Sequence, residues 1–225
     1  MLLAIDTSTQ EVGVALYDGD QVISEMTWMS QQYHTIELAP TVSSLLDRVG
    51  MTPRDLNVLA VALGPGSFTG LRIGLALVKG MALAGHLAVV GVPTLDILAS
   101  AQPIADKPLV AVLHAGRGRL AAGWYRNHSG TWISDDQLII LSVQDLTAKI
   151  KSPTIICGEL TGDERRILGR KRKNVILASP AQSLRRPSYL AELGWKRWKS
   201  GKTDDPAILA PYYLHTDQPI PRGQN

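Results

Sequence analysis

The chain runs through one order of secondary-structure signals twice: three strands, a helix, a strand, a helix. In the first half, residues 2–5, 12–17 and 21–28 read as strands, the last two joined by Asp18-Gly19-Asp20, a tight-turn signal. Leu38, Val42, Leu45, Leu46 and Val49 recur at helical spacing until Gly50 stops them, so Pro40 must lie near the first turn or bend the helix. Thr52-Pro53-Arg54-Asp55 reads as a short capped helix. Residues 58–63 are an unbroken apolar run, the pattern of a strand covered on both faces. A glycine-rich loop over 64–70 then leads into a helix over 71–84, a strand over 87–92 and a helix over 94–101.

The second half follows the same order. Strands are expected at 109–114, 119–125 and Trp132 with 138–141, then a helix capped by Ser142 to Ile150, a strand at 154–157, a helix at 163–168, a strand at 174–178 and a helix at 187–199. This is a duplicated α/β architecture, two β-β-β-α-β-α subdomains over 1–104 and 105–216. Their boundary falls in the proline-containing stretch 102–108, and a tail over 217–225 carries Pro219 and Pro221.

Composition fits a globular chain: 45% of the 225 residues are hydrophobic and 19% charged. Asp6 interrupts the first apolar run and no basic leader precedes it. The longest charge-free stretch, between Lys79 and Asp96, is shorter than the roughly 20 residues of a membrane helix. A cytoplasmic chain with no membrane association is expected. Cys157 alone makes no disulfide framework or CxxC pair, and Asn127-His128-Ser129 reads as a turn rather than a glycosylation site. Charge is divided between the halves: residues 1–110 hold 5 Lys and Arg against 10 Asp and Glu, a net −5, whereas 111–225 hold 18 against 10, a net +8. The positive half is either an ordinary solvated surface or a face turned to a polyanion such as tRNA.

Two loops are placed to carry chemistry. In Asp6-Thr7-Ser8-Thr9, hydroxyls and turn amides could receive phosphate oxygens while a carboxylate holds Mg²⁺ through water; the alternative is a turn that satisfies its own backbone. Gly64-Pro65-Gly66-Ser67-Phe68-Thr69-Gly70-Leu71-Arg72-Ile73-Gly74 lies between a strand and a helix, where its amides could meet an anion, or it is a sharp structural connector. It lacks the Gly-Lys-Ser/Thr of a Walker loop and the spacing of a dinucleotide fingerprint, and it contains the chain's one phenylalanine, Phe68.

Residues 3–9 (LAIDTST), 12–16 (VGVAL), Tyr33-His34-Thr35 opening a leucine-rich helix, and the eleven-residue glycine loop together resemble the TsaB (YeaZ) family. The resemblance is dense over residues 1–100 and thinner beyond, resting there on Cys157-Gly158 and Pro211-Tyr212-Tyr213-Leu214. It implies the actin-like (ribonuclease-H-like) fold and a non-catalytic subunit that binds TsaD, the catalytic paralogue. With TsaE, that assembly transfers a threonylcarbamoyl group, supplied by TsaC as its adenylate, to the adenosine beside the anticodon of tRNAs reading ANN codons. Asp6, Thr7, Ser8, Thr9, Gly64, Pro65, Gly66 and Ser67 are then degenerate nucleotide-type loops, and ATP with Mg²⁺ is used by the complex rather than required by this chain. The resemblance also implies a partner interface over the first and second helices: His34, Leu38, Val42, Leu45, Gly70, Arg72, Ile73, Gly74, Leu77 and Met81. The same face would make a homodimer of the isolated chain. Arg170, Lys171, Arg172 and Lys173 are candidates for tRNA contact, against a reading as solvated charge.

The paralogue's metal is held by His-x-x-x-His, whereas here Leu38 follows His34 at that spacing; His86, His114, His128 and His215 are scattered, and there is no HExxH. No metal site is expected. In the second hairpin, His114-Ala115-Gly116-Arg117-Gly118-Arg119, the family usually shows Asp-Ala-Arg, so no carboxylate within the turn can manage Mg²⁺. A stand-alone ATPase or phosphotransferase of the same fold is the competing function; Mg²⁺-dependent ATP turnover by the isolated chain would distinguish it.

Overall fold

The computed structural model describes residues 1–31, 34–171 and 173–212, excluding the side chain of Gln137. Tyr33, Arg172, Tyr213, Leu214, His215 and the expected tail lie outside the described residues. Two five-stranded sheets form the frame. The first has the order β3(Val22–Met29), β2(Glu11–Tyr17), β1(Leu2–Asp6), β4(Val58–Ala62), β5(Ala88–Val92). The second has the order β10(Val175–Leu177), β9(Thr154–Gly158), β6(Leu109–His114), β7(Leu120–His128), β8(Thr131–Leu141). In each, the first three strands in sequence form an antiparallel meander and the remaining strands add in parallel, so the duplication read from the sequence is present in the pairing.

The helices show why the two halves are not independent. α1(His34–Arg48) and α2(Phe68–Gly85) cover one face of the first sheet, over a core that includes Leu3, Ile5, Val14, Leu59 and Val61. α4(Val143–Lys149) and α5(Gly162–Gly169) cover one face of the second, over Val110, Val112, Leu120 and Ile156. The remaining two helices are exchanged. α3(Thr94–Ser100) puts Leu95, Leu98 and Ala99 against Leu109, Ala111 and Leu113 of the second sheet. α6(Pro187–Lys199) puts Leu190 and Ala191 against Leu2, Ala4, Val58 and Ala60 of the first. α6, which follows the division at residue 104/105 in sequence, packs on the first sheet, where Ile97 of α3 shares the same apolar face.

Three local boundaries also differ from expectation. α2 begins at Phe68, not Leu71, because the Ser67 side chain accepts from the Gly70 amide and caps it three residues early. Pro40 sits in the second turn of α1. Trp132 and residues 138–141 belong to one strand, β8, paired to β7 with a register shift between Gly123 and Tyr125. The C-terminus of α1 stops as the sequence suggests. Gly50, at φ +67°, lets the Met51 amide reach Leu46 O (3.0 Å) while its own reaches Asp47 O (3.1 Å). α2 has 18 residues and a mean hydropathy of 1.3, long and apolar enough by composition to cross a membrane, although it carries Arg72 and Lys79. The charge-free run in the sequence did not reveal this, because the two cations interrupt it. One row of the helix (Leu71, Gly74, Leu75, Val78, Ala82) is buried in the fold.

Candidate functional site

Every polar side chain of the first hairpin is taken by the chain itself. Asp6 Oδ1 accepts from the Ser8 amide (2.8 Å). Thr7 Oγ1 donates to Gly70 O (2.7 Å), Ser8 Oγ is 2.8 Å from Thr94 Oγ1, and Thr9 Oγ1 donates to Glu159 Oε1 (2.6 Å). The glycine loop is bound to the same hairpin: the Ser67 amide donates to Ser8 O at 2.6 Å, and Gly64 exchanges hydrogen bonds with Thr94 through both its amide and its carbonyl. Its glycines serve close approach. A Cβ built on Gly66 would lie 2.2 Å from Ser8 O, on Gly70 2.2 Å from Thr7 O, and on Gly74 2.3 Å from Thr7 Oγ1. The connector reading of Gly64, Pro65, Gly66 and Ser67 thus describes the loop. The side chains of Asp6, Thr7, Ser8 and Thr9 that a phosphate or Mg²⁺ would use are engaged within the chain.

Arg185, which the sequence did not single out, completes this arrangement. Its side chain is 1% exposed. Nε donates to Asp6 Oδ2 (2.5 Å), Nη1 to Glu159 Oε1 (2.8 Å), and Nη2 to Thr9 Oγ1 (2.9 Å) and Glu11 O (2.6 Å). Its amide donates to Glu11 Oε1 (2.7 Å). Arg186 behaves as expected of a surface cation, pairing with Glu25 while half exposed. Nothing in the local sequence separates these two arginines; only the arrival of α6 on the first sheet carries Arg185 inward.

A cleft of about 1030 Å³ opens beside the hairpin, between the lobes, lined among others by Thr9, Glu11, Ser67, Phe68, His114 and Glu159. Burial pushes the Glu11 carboxyl up from its ordinary value, against the pull of Arg185. The Asp6 and Glu159 carboxylates bond the guanidinium and the Glu11 carboxylate the Arg185 amide, so three carboxylates surround one cation, an electrostatic setting that disfavours a polyanion entering without cations. In the second hairpin His114 Nε2 pairs with Glu164 Oε2 at 2.9 Å. Burial works against the Glu164 charge, yet hydrogen bonds from His114 and Thr161 hold its carboxyl below the ordinary value. Gly116, Arg117 and Gly118 all have positive φ, at +74°, +53° and +67°.

The expected partner face is partly corrected. His34, Leu38, Val42 and Leu45 are core residues, at most 7% exposed, because the apolar stripe of α1 points into the first sheet. The His34 ring instead meets Thr9 O at 3.1 Å. Gly70 and Gly74 are buried against Thr7. Arg72 is exposed, with its guanidinium 3.7 Å from the Phe68 ring centroid, and Ile73, Leu77 and Met81 are half-buried. Leu77 and Met81, with Ala76, Gly80 and Ala84 of α2, face Ala39, Val42, Ser43 and Leu46 of α1 across an apolar groove of about 850 Å³.

In the basic run, Arg170 and Lys173 are exposed and Arg172 lies outside the described residues. Lys171 is not free for a phosphate: its Nζ donates to Thr147 O (2.5 Å) and Ile150 O (3.2 Å), the last carbonyls of α4. Trp195 and Trp198 pack against the α6-covered face of the first sheet, with the Trp195 ring 5.7 Å from Tyr17.

A sequence-family model described as "TsaD: tRNA N6-adenosine threonylcarbamoyltransferase" matches residues 22–149. The Bacillus subtilis tRNA threonylcarbamoyladenosine biosynthesis protein TsaB is 32% identical over 95% of this chain and 93% of its own length. Among solved structures, YeaZ from Pseudomonas aeruginosa superposes with a TM-score of 0.79 at 26% identity, covering 95% of this chain and 99% of that one. EutJ, an ethanolamine utilization protein from Carboxydothermus hydrogenoformans, superposes at 0.53 with 16% identity over 85% and 89% of the two chains, a likeness of fold.

Proposed function

The chain belongs to the TsaB (YeaZ) family, within the sequence family that includes TsaD, and has the actin-like α/β fold; we propose that it is the non-catalytic partner subunit of a tRNA threonylcarbamoyl transferase complex. In this role it binds TsaD and is needed for threonylcarbamoyl transfer to the adenosine beside the anticodon of tRNAs reading ANN codons. TsaE joins the same assembly, and tRNA is met through the complex. The chain itself requires no cofactor; ATP and Mg²⁺ are used by the complex, in the cytoplasm.

The observation that carries this reading is the state of the hairpin. Asp6, Thr7, Ser8 and Thr9 are engaged by Arg185, Gly70, Thr94 and Glu159, so the hairpin's own carboxylate and hydroxyls are committed to structure rather than offered to a transfer reaction. The α1–α2 groove offers what a subunit needs instead, a recessed apolar strip with small residues at Ala76, Gly80 and Ala84 where a partner helix approaches closely. TsaD docks there, and in its absence a second copy of this chain does, so homodimer and heterodimer compete.

Substituting Ala76→Glu places a charge on that exposed strip without touching the core. Titration of TsaD should show affinity reduced by at least about tenfold, with the melting temperature of the isolated variant unchanged. Undiminished TsaD binding by the variant would remove the groove from the account. The interlobe cleft favours one other reading, a stand-alone ATPase or phosphotransferase. Mg²⁺-dependent ATP turnover by the isolated chain would establish that alternative.

A further inference from the structure

Arg185 grips both lobes at their shared hairpin. Asp6, Thr9 and Glu11 belong to the β1–β2 hairpin of the first lobe, and Glu159 directly follows β9 of the second. Thr9 Oγ1 donates to the same Glu159 oxygen that receives Arg185 Nη1, so the two links close on one atom. Withdrawing a guanidinium from water is costly, and a well-packed apolar residue of similar volume is often as stable. A buried guanidinium here is better explained by what it fixes than by net stability. Without it, Asp6, Glu11 and Glu159 would repel one another across the root of the cleft, an arrangement relieved only by taking up protons or a cation from solution.

The hairpin that Arg185 fixes also seats α2. Thr7 Oγ1 holds Gly70 O, Ser8 O holds the Ser67 amide, and Gly66, Gly70 and Gly74 leave no room for a shift toward the hairpin. The far end of α2 supplies Ala76, Leu77, Gly80 and Met81 to one wall of the apolar groove. A continuous set of packed contacts therefore leads from the guanidinium to the groove.

We infer that Arg185 is a positioning residue for the docking groove: its guanidinium is a built-in cation that keeps the two lobes closed on the Asp6–Thr9 hairpin, so that the groove is formed with no nucleotide or metal on this chain. The docking half of the inference rests on the partner-subunit reading; the lobe-closure half does not.

The test is hydrogen exchange and TsaD titration on the full chain, for the wild type, Arg185→Ala and Arg185→Lys. In Arg185→Ala the melting temperature should fall by roughly 6–20 °C. Amides of residues 6–11 and 158–161 should exchange at least about tenfold faster under native conditions, and TsaD affinity should drop by at least about tenfold. Millimolar methylguanidinium should restore both in Arg185→Ala and leave the wild type unchanged, with Arg185→Lys intermediate. MgATP should leave wild-type exchange in these segments unaltered. Lowered stability with wild-type exchange and TsaD affinity below the melting transition, and no rescue by methylguanidinium, would reduce Arg185 to an ordinary structural contact and overturn the inference. A wild-type cleft whose protection rises with MgATP would overturn it too. Should Arg185→Ala fail to fold, Glu159→Ala removes the acceptor that Thr9 and Arg185 share on the second lobe and is expected to give the same acceleration at 158–161. A wild-type chain that does not bind TsaD contradicts the partner reading alone, because the exchange result decides the Arg185 tie in either case.

Discussion

Arg185 Nε lies 2.5 Å from Asp6 Oδ2, and both side chains are 1% exposed. Asp6, read in the sequence either as a carboxylate for Mg²⁺ or as part of a self-satisfied turn, is the counter-ion of a residue 179 positions away. Asp6→Asn leaves the guanidinium buried with one partner lost, and the chain should lose about 3–5 kcal/mol of stability at neutral pH. Denaturant unfolding measures this; a loss under about 1 kcal/mol would show that the pair is solvated in solution.

Two glycines of the same helix should respond in opposite directions to the same change. Gly74→Ala drives a Cβ to 2.3 Å from Thr7 Oγ1 and should cost about 1–3 kcal/mol while loosening the hairpin. At Gly80 a Cβ meets nothing within 4 Å, so Gly80→Ala should raise stability by about 0.5–1 kcal/mol through helix propensity. Thermal melts of the two variants, side by side, check the packing of α2 on the hairpin.

Glu25 ties β3 to the start of α6: it accepts from the Ser188 amide (3.0 Å), from Ser188 Oγ (2.7 Å) and from Arg186. Burial works against its charge, but these donors together hold its carboxyl below the ordinary value of 4.5. A depressed folded value means the unfolded chain takes up the proton first. The stability that Glu25 contributes is therefore complete above about pH 5.5 and disappears as pH falls through and below 4.5. Glu25→Gln should lower the melting temperature at neutral pH, with the difference from wild type closing in the acid limb. A gap that stays constant down to pH 3 would mean the charge itself has no role.

The four-residue basic run should divide by side chain. Lys171→Ala removes donors from the Thr147 and Ile150 carbonyls and should destabilise the chain by about 1 kcal/mol. Arg170→Ala with Lys173→Ala should leave stability unchanged. If this surface meets tRNA in the complex, the double variant should flatten the salt dependence of binding by about one to two ions. An unaltered slope would make those two residues ordinary solvated charge.

The strands and helices were largely legible because each carries its own local signal, and Pro187–Lys199 was placed at its true ends. What local pattern cannot show is where an element goes. The apolar faces of α3 and α6 are equally consistent with packing on their own half or on the other, and the structure exchanges them. The hairpin's partner was hidden for the same reason. Asp6 and Thr9 were visible as a polar hairpin, but their partner Arg185 becomes a neighbour only through the long-range placement of α6. On α1, helical spacing identified Leu38, Val42 and Leu45 as one stripe without saying that the stripe faces the sheet; the groove-facing residues, Ala39 and Ser43, carry no pattern of their own.

The most direct measurement of the central claim is reconstitution: TsaC, TsaD and TsaE with ATP, threonine, bicarbonate and unmodified tRNA, following labelled threonine into tRNA with and without this chain. The partner-subunit account predicts incorporation only when the chain is present, and neither modification nor ATP turnover by the chain alone. Full incorporation in its absence, with a TsaD shown to bind it, would contradict the account.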